Sequence, residues 1–186
     1  MIEKQKFNYG KTFVVGFGFF AVMVAWSVYN SFVPLFLANR FSLDPATIGF
    51  FMTLDNIAAL LLQPTIGSLS DRTRTKIGRR LPFMLVGAPI AAIAFFFAPV
   101  VAIPLLNISA GARLPFFIAC TMTFMLSMAI WRTPVVALMP DVTPSKYRSQ
   151  ANGVINFMGG IGSIIAFLIG GKLYEVNNAY PFWLAA

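Results

Sequence analysis

Two ionisable side chains, Asp55 and Arg132, stand inside long apolar runs of this 186-residue chain. A charge at the centre of a bilayer costs about 2.5–3.5 kcal/mol on insertion scales, so each needs a chemical reason to be there. Asp55 follows Ala46 by nine residues, which is about 13 Å along a helix rising 1.5 Å per residue. A carboxylate at that depth binds a proton where solvation is poor and releases it when a cation approaches. The structural alternative is a hydrogen bond to Asn30, which lies at a similar depth in the preceding run. Arg132 carries a fork of donors that fits hydroxyls or a carboxylate, or else closes an ion pair within a bundle. It stands nearer to the end of its run than Asp55 does, so a direct pair between the two must bridge several Å.

Further polar groups interrupt other runs. Asn152, Asn156 and Ser163, with Gly159 and Gly160 between them, recur at helical spacing on one face. Amides both donate and accept, which suits a polyhydroxylated solute. Gly and Ser on one face suit close helix packing equally well. Trp26 and Tyr29 offer flat faces either to a sugar ring or to neighbouring side chains. Gln63, just before Pro64, satisfies backbone groups that the proline frees.

The elements that hold these residues follow from composition. Hydrophobic residues make up 58% of the chain and charged residues 11%, against about 25% charged in a soluble domain. That leaves too little polar surface to wrap a water-soluble core, and the fold class is an all-α membrane protein. Apolar spans of about 20 residues or more are read at 12–38, 46–70, 81–106, 116–139 and 150–171, with a sixth opening at 181. If the amino terminus is cytoplasmic, that side collects Lys4, Lys6, Lys11, Arg72, Arg74, Lys76, Arg79, Arg80, Lys146 and Arg148. The other side holds only Arg40, Arg113 and Lys172. The positive-inside rule therefore places the amino terminus inside a multi-pass protein of the cell membrane.

Several function classes drop out. The net charge of +8 does not point to nucleic acid, because the cations sit in short connectors rather than on one exposed face. There is no His, and the one cysteine, Cys120, has no internal partner for a disulfide. The first apolar run is too long for a signal peptide. An enzyme is not expected, since no nucleophile is paired with a base, no metal cluster is present and no glycine loop cradles a phosphate. No cofactor is expected.

Residues 67–82, "GSLSDRTRTKIGRRLP", gather charges between the second and third spans. Gly67 offers room for another helix to press close, Asp71 ends the span, and Gly78 breaks the chain before a basic pair. The pattern Gly67, Asp71, Arg72, Gly78, Arg79, Arg80 resembles the loop motif of the major facilitator superfamily. The usual motif has one residue between Asp-Arg and the following Gly; here "TRTKI" intervenes. This longer form, with "LLLQPTIGSLSDR" before it, is similar to the sucrose and glycoside symporters. The stretch "RTPVVALMPDVTPSKYRSQANGVINFMGGIGS" resembles helices four and five of the same carriers, with Asp141 closing helix four.

The resemblance implies two halves of six helices each, with the solute bound between them and exposed alternately to either side. This chain then carries the amino-terminal bundle, incomplete in helix six, and lacks the carboxy-terminal half. The implied function is proton-coupled uptake of a glucoside such as maltose or sucrose. In that scheme Asp55 carries the proton, while Arg132, Asn152, Asn156, Trp26, Tyr29 and Asn30 face the sugar. Gly67, Asp71, Arg72, Gly78, Arg79, Arg80 and Asp141 form a conformational latch. The expected partners are a small-molecule sugar, protons, membrane lipid and the missing half. The alternatives are sodium coupling, which in the glycoside cation symporters uses more than one carboxylate in helix two, and a non-transporting carrier-like sensor or fragment.

Overall fold

The computed structural model describes residues 9–102 and 109–186, the side chains of Asp55 and Ala102 excepted. Among the described residues every regular element is helical. In chain order these are α1 (Tyr9–Phe41), α2 (Pro45–Arg72), α3 (Leu81–Phe97), α4 (Ala110–Val142), α5 (Arg148–Val176) and a short α6 (Tyr180–Ala185). The first five, counting α3 together with the 3-10 turn that extends it, are each long and apolar enough to cross a membrane.

The helices overrun the apolar spans read from the sequence, most at the start of α4 and the end of α5, because polar residues outside hydrocarbon still complete helical turns. The third span differs in kind. Its α-helix stops at Phe97 and tightens into the 3-10 turn Ala98–Ala102. Pro99 lacks the N–H that would continue the ladder, which accounts for the change. The remainder of that span, 103–106, lies outside the described residues. Between α1 and α2 the chain reverses through Ser42, which takes a left-handed φ of 52°. Asp44 then caps α2, accepting from the Thr47 amide at 2.9 Å and the Thr47 hydroxyl at 2.6 Å. The same Thr47 bonds hold the Asp44 carboxyl below the usual carboxylate range.

Packing is set by small residues on two seams. Along α1 and α5, a Cβ at Gly162 would stand 2.8 Å from the Phe20 carbonyl oxygen, and one at Gly159 would stand 2.7 Å from the Phe19 ring. Along α3 and α4, a Cβ at Gly87 would meet the Trp131 backbone nitrogen at 3.0 Å and the Ser127 carbonyl at 3.1 Å. These are the contacts small residues make possible where lipid supplies no hydrophobic drive between helices. Gly67 is not among them: a Cβ there would sit 3.6 Å from Thr133, an ordinary distance. At Gly67 the neighbouring helix α4 is therefore in ordinary contact, less tightly than at the two seams. The α2 helix leans on α4, α1 lies between α4 and α5, and α6 folds against α5 and α1.

Candidate functional site

At mid-depth α1, α2 and α4 meet around a notch of about 20 Å³, lined by Trp26, Ala58, Ala59, Gln63, Met128 and Arg132 among others. That is close to the room one water needs. The guanidinium carbon of Arg132 lies 5.2 Å from the centre of the Trp26 ring, within reach of a cation–π attraction. Among the described residues Arg132 makes no ion pair. Trp26 stacks in turn on Tyr29 at 5.6 Å, Tyr29 on Phe124 at 5.6 Å, and Phe124 on Phe95 at 4.1 Å. A column of rings thus runs from the notch through α4 to α3, and it fixes the plane on which Arg132 rests.

The predicted site residues divide in this frame. Trp26 and Arg132 come together. Tyr29 is corrected: it has no exposed surface, and its hydroxyl donates to the Met125 sulfur at 3.1 Å. Buried behind Trp26, it supports that ring and meets no solute in this conformation. Asn30 donates to the Trp26 carbonyl oxygen one turn back at 2.9 Å and stays exposed. The side chain of Asp55 lies outside the described residues. Its backbone stands in α2 one turn before Ala59 and two before Gln63, so the α2 residues level with Arg132 lie further along the helix than Asp55.

The stripe on α5 also divides. Gly159 and Ser163 serve packing, with the Ser27 hydroxyl donating to the Ser163 hydroxyl at 3.0 Å across the seam, whereas Gly160 faces open space. Asn152 and Asn156 remain exposed. The Asn156 amide donates to the Asn152 side-chain oxygen at 2.8 Å and to the Asn152 carbonyl at 2.9 Å. Gln63 is the residue that sequence reasoning placed elsewhere, as a servant of Pro64. Its signal was available: it lies one helical turn after Ala59 on a face of small residues, where a long amide reaches into the gap.

The charged end of the bundle is built differently. Gly78 takes a φ of 102°, a left-handed turn that only glycine enters at no steric cost. It returns the chain so that Arg79 and Arg80 point back at the helix ends. Arg80, 7% exposed, donates through Nε to Asp141 on α4, pairs with Asp71 on α2 at 3.0 Å, and reaches the Ser70 hydroxyl at 3.1 Å. Arg79 pairs with the other oxygen of Asp141 at 2.6 Å. One buried guanidinium therefore ties the ends of two helices together, with both carboxylates answered. Arg72 stands in the last turn of α2, where a cation suits the helix dipole.

The sequence pattern described as Major Facilitator Superfamily matches residues 15–186. The chain is 26% identical over 172 residues, 90% of its length, to an uncharacterized symporter of Synechocystis sp., of which the match covers 31%. It is 26% identical over 167 residues, again 90% of its length, to the nitrite extrusion protein of Bacillus subtilis, covering 38% of that protein. It is 28% identical over 133 residues, 68% of its length, to the general alpha-glucoside permease of Schizosaccharomyces pombe, covering 24%. The chain thus spans between about a quarter and two-fifths of the length of these curated relatives.

Proposed function

Because the chain belongs to the Major Facilitator Superfamily, we propose that it is the amino-terminal part of a secondary carrier whose solute site includes the notch of Trp26, Gln63 and Arg132. Such carriers bind solute at mid-membrane between two bundles and expose it to each side in turn. The proposed solute is a glucoside of the maltose or sucrose kind, taken up across the cell membrane with a proton, the amino terminus lying in the cytoplasm. The observation that carries this reading is Arg132 laid on the Trp26 face at mid-depth. A flat ring beside a fork of donors matches a sugar's CH face and its hydroxyls. Asn152, Asn156 and Asn30 are further exposed amides that the reading offers to the solute.

In the proposed cycle Asp55 carries the proton. The second bundle completes the cleft, and the Asp71 loop latches the two bundles in one state. Arg80 already engages Asp71 inside this bundle, so the latch works by exchange of that partner. Replacing Asp71 by Asn shifts the resting conformation, read as altered accessibility labelling of the two faces. Unchanged labelling would sink the latch.

A second solute class, a small anion, is favoured by Arg132 itself and by the likeness to the nitrite extrusion protein. Uptake assays on the full-length protein in proteoliposomes decide between them, using labelled maltose, sucrose and nitrite with an inward proton gradient, for wild type and Asp55→Asn. Sugar accumulation that Asp55→Asn abolishes while solute exchange persists supports the proposal. Accumulation that the substitution leaves intact moves the proton off Asp55. Nitrite movement without sugar uptake replaces the glucoside by the anion.

A further inference from the structure

The outer faces of α3 and α4 enclose a second concavity, remote from the notch. It is a groove of about 490 Å³ lined by Ile90, Ile93, Phe97, Phe116 and Cys120. Its walls are almost wholly apolar, and Ile93 keeps 58% of its surface exposed. Helical register puts Arg113, Phe116 and Cys120 on one face of α4, three and four residues apart. Arg113 is exposed in the first turn of that helix, so a cation stands at the head of an apolar channel. The rest of the exposed α3 surface is apolar too, including Leu85, Val86 and Phe96, as a lipid-facing helix requires.

We propose that this groove is a phospholipid site, in which one acyl chain lies along Ile93, Phe97, Phe116 and Cys120 and the phosphate pairs with Arg113. The two parts of the ligand match the two parts of the site. An acyl chain fills a long apolar trough that side chains leave open, and a phosphate at the interface takes the fork of a guanidinium. Neither a sugar nor a soluble anion satisfies both. The site is independent of the transport reading, since it needs only a membrane-embedded bundle. Its tie to α3 and α4, which pack backbone to backbone at Gly87, makes it a clasp across that seam.

The test uses the full-length protein in phosphatidylcholine vesicles containing a trace of phosphatidylcholine with a photoactivatable acyl chain. Diacylglycerol bearing the same chain serves in parallel, and adducts are mapped by peptide mass spectrometry. Phosphatidylcholine adducts should concentrate severalfold at residues 90–97 and 116–123 over the exposed apolar residues Ile164, Phe167 and Leu168 of α5. Diacylglycerol adducts should show no such enrichment. Arg113→Gln should reduce the phosphatidylcholine enrichment to the α5 level, and Arg113→Lys should keep most of it. Ala119→Phe, which fills the trough, should lower it with Arg113 in place. An even distribution in the wild type, equal enrichment of diacylglycerol, or enrichment that survives Arg113→Gln would each overturn the proposal.

Discussion

Arg80 and Arg132 are both guanidiniums drawn into the same bundle, and they keep opposite company. Arg80 faces two carboxylates and a hydroxyl, each from the end of a helix. Arg132 faces an indole ring and, among the described residues, no carboxylate. An arginine with a partner on each of its three nitrogens holds structure in place. One that rests on a ring and, among the described residues, meets no carboxylate is offered to a ligand, because the ring attracts the charge without using up the N–H groups. The difference separates a fastening from a binding site within one chain.

The comparison can be broken in four ways. Arg80→Gln should cost about 2 kcal/mol of stability in thermal unfolding of the detergent-solubilised full-length protein. That is less than the 3–5 kcal/mol of a fully buried pair, since Asp71 stays largely exposed. Arg132→Gln should cut solute uptake tenfold or more, about 1.4 kcal/mol in the transport barrier, while changing stability by less than about 1 kcal/mol. If instead it unfolds the protein as readily as Arg80→Gln does, Arg132 is a fastening too. Trp26→Phe keeps a ring under the guanidinium but a weaker one, and should raise the half-saturating solute concentration by about threefold. Arg79→Ala should cost only about 0.5 kcal/mol, because its side chain is 48% exposed, and even that should vanish in high salt. Equal costs for Arg79 and Arg80 would erase the distinction between the inner and outer members of the cluster.

Much of the architecture was legible because the bilayer writes it plainly. Runs of about 20 apolar residues separated by charged connectors leave little freedom in the number of crossings. The faces of those helices were not legible. In a soluble protein periodicity separates core from surface, whereas here lipid and core both select apolar side chains. On α3, Ile90 is exposed and Ala91 buried, and nothing in their chemistry says which. The stack under Arg132 escaped for the same reason: Phe124 and Phe95 look like any other phenylalanine among twenty. The fastening was half legible. The Gly78 turn and the basic pair stood out as a motif, but that Arg80 spans both Asp71 and Asp141 depends on helix ends brought together over some 60 residues of chain. Gln63 was visible as a polar intrusion and was assigned to the nearest backbone, when its register pointed sideways into the notch.

The glycine seam between α1 and α5 carries a mechanical consequence. Where the Gly162 face lies against the Phe20 carbonyl and the Gly170 face against the Phe32 ring, the two surfaces mesh like gear teeth. Sliding one helix along the other lifts the teeth out of register before any new fit is reached. The pair therefore behaves as a single stiff plate. A load applied at one end, by a solute or by a change of charge, is delivered at the other with little lost to internal slip, and the compliance of the bundle must reside in its less tightly meshed joints.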